Sequence, residues 1–185
     1  MKTHKIKYIY FIVTALAVTM FFSCSNSLKQ VNKIGISENE PIGEAEDLNL
    51  KYTDSGRVKS ILQSAKMLDY SNRSYPYREF PDGIHLQVFD LDKNKRSVII
   101  SDYAIIYAST NLIDLKGDVK LVTSDKDTLF AEQLYYDESK QWIFTNQPVT
   151  YRTGSDLIHG NGFDSNSKFT NAEVLEVTGI VTLND

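Results

Sequence analysis

From Leu50 to the C-terminus, Val, Ile, Leu, Tyr, Phe and Thr recur at every second position in short runs, and polar clusters of Gly, Asp, Asn, Ser and Lys separate the runs. A period of two places alternate side chains on opposite faces of an extended strand. In Asp118 to Tyr151 the pattern is clearest. Val119, Leu121 and Thr123 fall on one side, and Lys120, Val122 and Ser124 on the other. The segments Ser124–Asp127 (SDKD) and Asp137–Lys140 (DESK) have the length and chemistry of hairpin turns. No window of helical length carries a clean 3.6-residue apolar stripe. The best helical stretch, Val58 to Leu68, reads equally well as an alternating strand. The pattern predicts an all-β domain of antiparallel strands over residues 49–185.

The strands are organised as a repeat. Gly117-Asp118-Val119 is followed by Gln147-Pro148-Val149 and Gly179-Ile180-Val181, spacings of 30 and 32. Between them, Thr128–Phe144 aligns with Asp156–Ala172 at an offset of 28, and Ser97–Ser109 is a weaker copy. A two-strand unit cannot bury its own apolar face, so such copies stack and share a core. Both a closed sandwich or barrel with a dry core and an open jelly roll with an apolar channel satisfy this periodicity.

The N-terminal pattern is different. A basic stretch, Met1–Lys7, precedes a continuous apolar run, Tyr8–Phe22, and then small Ser23. This is the organisation of an export signal, residues 1–23. The run is shorter than the roughly 20 residues needed to cross a bilayer core, although a short uncleaved anchor is the alternative. Cys24, the only cysteine, follows at once. Residues 24–48 are polar, with Gly, Pro, Ser and acidic runs, and predict a flexible linker.

Charge excludes one class of partner. The chain carries 20 Lys+Arg and 24 Asp+Glu, a net charge of −4. Removing residues 1–23 takes away Lys2, Lys5 and Lys7 and leaves 17 against 24, or −7. Such a surface repels phosphate backbones, so no nucleic-acid partner is expected. Catalytic chemistry finds no support either. His85 and His159 lack a matching Cys or His for a metal site, and Asp125, Asp127, Asp137 and Glu138 fall in turns. No phosphate loop, G-x-S-x-G or H-E-x-x-H is present. Neither enzyme activity nor a cofactor or metal is expected.

The segments SGRVKSILQSAKMLDY, YREFPDGIHLQVFD, LIDLKGDVKLVTSDKDTLFAEQLYYDESKQWIFTNQPV and LIHGNGF together resemble the LptC family, and particularly its lipoprotein-like branch in Bacteroidetes-type bacteria. The repeat is shared by related export proteins. The PYREFPDG stretch (Pro76–Gly83), the small size and the single N-terminal anchor favour LptC over a soluble bridge-type relative. FFSC (Phe21–Cys24) resembles a lipobox, with Phe21 in place of leucine and a large Phe22, which marks Cys24 as the expected site of lipid attachment. The alternative is that Cys24 is an incidental residue of the leader. The sequence departs from many relatives at NLIDLKGDV, which lacks their tryptophan.

What the resemblance implies is an open, V-shaped β jelly roll anchored on the periplasmic side of the inner membrane. It would receive lipopolysaccharide from an ABC transporter (LptB/LptF/LptG-like) and pass it to an LptA-like periplasmic bridge protein by edge-strand pairing. An apolar groove would take the acyl chains of lipid A. The candidate lining is the set of inward positions on the best alternating strands: Leu86, Val88, Ile99, Tyr103, Ile105, Val119, Leu121, Leu129, Leu134, Trp142, Phe144 and Val149. Lys120, Lys126 and Arg152 are candidates for lipid phosphates at a rim. The same positions suit an ordinary core, and the rival of another class is a structural β-repeat lipoprotein.

Overall fold

A computed structural model describes residues 40–90 and 95–182. The signal or anchor, Cys24 and most of the expected linker lie outside the described residues. Those described form an all-β, antiparallel, jelly-roll-like fold of twelve strands. They are β1 (Gly43–Asp54), β2 (Arg57–Tyr70), β3 (Tyr77–Phe80), β4 (Ile84–Phe89), β5 (Arg96–Ser101), β6 (Tyr103–Tyr107), β7 (Leu112–Val122), β8 (Thr128–Asp137), β9 (Trp142–Thr153), β10 (Asp156–Asn166), β11 (Glu173–Val174) and β12 (Val177–Thr182). The Val58–Leu68 stretch is strand, inside β2. β1 begins at Gly43 and pairs along β2 from Gly43↔Asp69, so residues 43–48, expected as linker, belong to the sheet.

The sheet consists of two leaves that share their long strands. The C-terminal half of β7 pairs with β5 and its N-terminal half with β6. Likewise Ser60–Gln63 of β2 pairs with β4, and Leu68–Tyr70 with β3. On the other side of the sheet, β12 pairs with the start of β10 and β11 with its end. The first leaf therefore contains β4, β5 and β12, the second β3, β6 and β11, and β7 to β10 run through both.

Between the leaves the register of β7 to β10 is interrupted. Register shifts fall at Lys116/Val119 in β7, between Ala131 and Tyr135 in β8, and between Asn161 and Phe163 in β10. Gly117, Asp118 and Gly162 take positive φ there, as do Asp47 in β1 and Glu176 between β11 and β12. Gly83 and Asp102 mark the same line where β3 passes to β4 and β5 to β6. Pro148 lies on it too, which is how an interior strand tolerates a residue that cannot donate to the ladder. A bulge bends its strand and moves subsequent side chains to the other face. Here the shifts align into one seam, and the sheet folds along it.

The register also corrects the repeat. Thr128 and Leu157 both pair with Arg152, and Asp137 and Asn166 both pair with Trp142, so the structural offset of β8 and β10 is 29, not 28. Val149 and Val177 both pair with Gly160, which makes Glu176-Val177 the third seam element rather than Gly179-Ile180-Val181. Buried apolar residues of both leaves form one core, from Phe80, Ala104, Leu115 and Phe163 of the second leaf to Val119, Leu121, Leu129 and Val149 of the first. The rings of Tyr151 and Phe163, one from each leaf, meet at 5.5 Å between centroids.

Candidate functional site

Directly paired residues in antiparallel strands point to the same side of a sheet. Following the pairs across the first leaf gives an unbroken row on its inner face. Leu50 pairs with Leu62, Leu62 with Leu86, Leu86 with Ile99 and Ile99 with Leu121. Leu121 then pairs with Leu129, Leu129 with Tyr151, Tyr151 with Ile158 and Ile158 with Ile180. The row crosses nine strands, from β1 to β12, without a charged or purely polar member.

Its exposure is graded. Leu121 and Leu129 at the centre are each 1% exposed, whereas Leu50 is 49% and Ile180 62% exposed. Beside Leu50 on the same face, Tyr52, Val58 and Val88 are exposed as well, and beside Ile180 so is Val177. Among the described residues, β1 pairs only with β2 and β12 only with β10, so each end of the row lies at an open sheet edge. The centre is packed, and the apolar lining opens at both edges.

Of the twelve candidate groove residues, eight lie on this inner face. Leu86, Ile99, Leu121 and Leu129 belong to the row, with Val88, Val119 and Val149 flanking it and Leu134 in the second leaf's share of the core. The remaining four point the other way. Tyr103 and Ile105 flank Ala104, which is fully buried in the core, so they face outward. Phe144 and Trp142 share the outer face with Tyr135 and Asp137, with which they pair. For the first two the physical reason is the seam. Alternation counted on from Ile99 loses its phase at Asp102, whereas Trp142 and Phe144 alternate with the buried Ile143 and Thr145 and so belong to the opposite face of β9. Conversely, Leu50, Leu62, Tyr151, Ile158 and Ile180 were not among the candidates. Cross-strand register, which a single strand's periodicity does not carry, is the signal that finds them.

The basic candidates are not at an inner rim. Lys120 lies on the outer face with its ammonium 5.7 Å from the centre of the Phe130 ring, on which side Arg152 also projects, and Lys126 occupies the β7–β8 turn. His159 shares a hydrogen bond of 2.9 Å with the Thr150 hydroxyl, also outside. Among the described residues no group of three His, Cys, Asp or Glu side chains is placed to hold a metal.

The outer face of the second leaf is the other distinctive surface. Tyr70, Tyr77, Tyr107, Leu112, Asp137 and Trp142 form one rung across it, and Glu79, Ile105, Asp114, Tyr135, Phe144 and Asp164 the next. Tyr70 and Tyr77 stack at 4.7 Å, with the Arg73 guanidinium 4.2 Å from the Tyr70 ring centre, and Tyr135 stacks on Phe144 at 5.3 Å. Asp114 is 5% exposed at the centre of this face. Its carboxylate accepts from Lys116 Nζ at 2.9 Å and from Gln133 Nε2 at 2.8 Å. The hydrogen bond to Asp114 raises the Lys116 pKa, and burial raises that of Tyr107, with a further contribution from the Asp114 charge. Burial foremost, reinforced by its hydrogen bond to Glu79 at 2.7 Å, likewise pushes the Tyr103 phenol up.

No curated protein matches the chain. The profile of the family described as "Lipopolysaccharide-assembly, LptC-related" matches residues 9–182, nearly the whole sequence and all of the described sheet. The chain belongs to the LptC-related lipopolysaccharide-assembly family and thereby to the lipopolysaccharide transport machinery.

Proposed function

We propose that this protein is the membrane-anchored periplasmic member of that machinery, and that its inner face carries the acyl chains of lipopolysaccharide between the two open edges. One observation supports the reading above all. The apolar row is continuous across nine strands and is exposed where the sheet ends. Leaving a methylene in water costs about 0.8 kcal/mol, so a multi-chain lipid needs apolar cover at each step of an aqueous crossing. An exposed strand edge whose inner face is apolar supplies that cover at the point of transfer, because a neighbouring jelly roll that adds a strand extends the same lining. Passage through the centre requires Leu121 and Leu129 to exchange contacts with the opposite leaf for contacts with lipid, apolar for apolar.

In this reading Cys24 carries the anchor, residues 25–42 span to the first strand, and the inner-membrane ABC transporter delivers lipid at one edge while a bridge protein receives it at the other. The family is associated with the periplasmic side of the inner membrane. The chain itself does no chemistry, and the driving energy comes from the transporter.

A photoreactive amino acid at Leu62, Leu86 or Ile158, half-buried members of the row, tests this in cells. Lipopolysaccharide adducts are expected at these positions and not at Phe130 on the outer face of the same leaf. A folded protein with no inner adducts, or with equal labelling at Phe130, overturns the groove and leaves a structural β-repeat lipoprotein, the reading favoured by the packed centre. Replacing Cys24 with serine tests the anchor separately: the protein is expected to leave the membrane fraction, and unchanged retention shows an uncleaved helix instead.

A further inference from the structure

We propose that the outer face of the first leaf is a docking surface for an anionic phospholipid bilayer, on the opposite side of the sheet from the apolar row. Two rungs cross this face from β1 to β12. In one, Ile100 pairs with Lys120, Lys120 with Phe130, Phe130 with Thr150 and Thr150 with His159. In the other, Val98 pairs with Val122, Val122 with Thr128, Thr128 with Arg152 and Arg152 with Leu157. Over all nine strands the two rungs carry Lys51, Lys120, Arg152, His85 and His159 and not one carboxylate. Lys59 and Arg96 stand two residues from Ile61 and Val98 on the same face. Acids appear at its borders. Asp47, Asp82 and Asp102 line a concavity of about 670 Å³ at the seam, Asp118 and Glu132 line one of about 600 Å³, and Asp54 faces Arg57 across the β1–β2 hairpin.

Two features separate this face from an ordinary solvated one. A solvated surface intersperses both signs of charge. Here the cations of the ion pairs, Lys66, Arg78, Lys95, Lys116 and Lys140, all lie off the two rungs. Lys51, Lys59, Arg96, Lys120 and Arg152 have no carboxylate partner among the described residues. These cations are also interleaved with apolar side chains that water reaches, Ile100 at 40%, Phe130 at 37% and Val181 at 49% exposure. Cations that meet lipid phosphates, beside apolar side chains that enter the headgroup region, are the two contributions by which a surface binds an anionic bilayer. An acidic protein matches the charge, but an anchor residue from it finds no pocket away from the carboxylates of the seam. Nine strands at about 4.8 Å spread the cations over about 40 Å, which suits an extended plane of phosphates. The proposal takes one thing from the reading above, that the N-terminal segment holds the chain at a membrane. The eighteen residues between Cys24 and Gly43 reach at most about 60 Å when extended, so the sheet stays beside the bilayer and individually weak contacts suffice.

The full-length chain is reconstituted into phosphatidylcholine vesicles with or without one quarter phosphatidylglycerol. A photoreactive amino acid replaces Ile100 or, as a control, Tyr75, which is 80% exposed in the β2–β3 loop of the second leaf. Flotation of the vesicles reports the anchor and phospholipid adducts report the face, so the two readings fail separately. Adducts at Ile100 are expected to be at least tenfold more abundant with phosphatidylglycerol than without it, and at least tenfold more abundant than at Tyr75. In about 1 M salt, where the screening length falls to about 3 Å, they are expected to drop to the level of the uncharged vesicle. Lys120→Glu combined with Arg152→Glu is expected to remove them, and Lys120→Arg combined with Arg152→Lys to retain them. A chain that floats only on phosphatidylglycerol vesicles loses the anchor and keeps the docking face; one that floats on neither overturns both. A floating chain with no adducts at Ile100, with equal adducts at Ile100 and Tyr75, or with adducts indifferent to phosphatidylglycerol and salt overturns the proposal. So do adducts that survive charge reversal. The salt comparison uses the parent chain and decides the matter even where the reversed pair fails to fold.

Discussion

At the scale of single residues, the seam is held by positions that admit no side chain. Gly83 has φ +76°, and a Cβ there drives into the carbonyl oxygen of Ser101 and against the backbone of Asp102. Its own carbonyl accepts from the Ser64 hydroxyl at 2.7 Å, which ties β2 to the bend. Gly83→Ala combines a left-handed backbone with a backbone clash, and is expected to destabilise the domain by about 2 kcal/mol or more. Gly179 has open space around it and no positive φ, so Gly179→Ala is expected to be near neutral. Urea midpoints of the two variants check the contrast, and equal midpoints remove the seam from the account of stability. Both glycines stand in the sequence in the same kind of turn-like context; the left-handed φ of Gly83 and the approach of the β5–β6 bend separate them.

Asp137 is the clearest titrating group. The Ser139 hydroxyl foremost, then Lys140, holds its carboxyl at about 2, below the ordinary 3.8. The folded state thus favours the ionised form. The contribution of this carboxylate to stability is full above about pH 4 and is lost as pH falls toward 2. Asp137→Asn is expected to lower the unfolding midpoint at neutral pH, with the difference from the parent shrinking as pH falls toward 2, which flattens the dependence over that interval. An unaltered acid slope contradicts it. That Asp137–Lys140 forms a turn was legible in the sequence; which oxygen each donor reaches is a matter of the folded hairpin.

At the scale of elements, the strands from β7 onward were legible because each half-strand keeps strict alternation. The faces were not. β7 reads Ile113, Leu115, Val119, Leu121 on the inside, all odd-numbered, yet Lys116–Asp118 intervene as a bulge. In β8 the inner set changes phase from Leu129 and Ala131 to Leu134, whereas in β9 it stays odd-numbered, Ile143 and Thr145 and then Val149 and Tyr151, across Asn146–Pro148. Counting on from Ile99 through Asp102 assigns Tyr103 and Ile105 to the inside, and the structure places them outside, as it does Trp142 and Phe144, which alternate with the buried Ile143 and Thr145. Deleting Asp118 alone is expected to be severely destabilising. The deletion shortens the bulge by one residue, so either Lys120 is carried into the core or Ile113 and Leu115 out of it. A cooperative, near-native melt of the deletion variant shows that the bulge is slack rather than a register device.

At the scale of the whole molecule, the two leaves give the chain two surfaces of different chemistry. The inner one is aliphatic at its centre and continues to both edges, and the outer one of the second leaf is aromatic and hydrogen-bonded. The same strands build both, since alternation sends Leu115 inward and Asp114 outward, or Leu134 inward and Tyr135 outward. By itself the sequence determined the all-β class, the repeat, the hairpin turns and the family, because alternation, turn chemistry and motif spacing are local properties of the chain. Only the tertiary structure decided where β1 begins, that the repeat offset is 29, which residues share a face, and that the apolar row is packed at its centre and open at its ends. Each of these depends on register between strands distant in sequence. A one-residue shift in that register inverts every assignment beyond it.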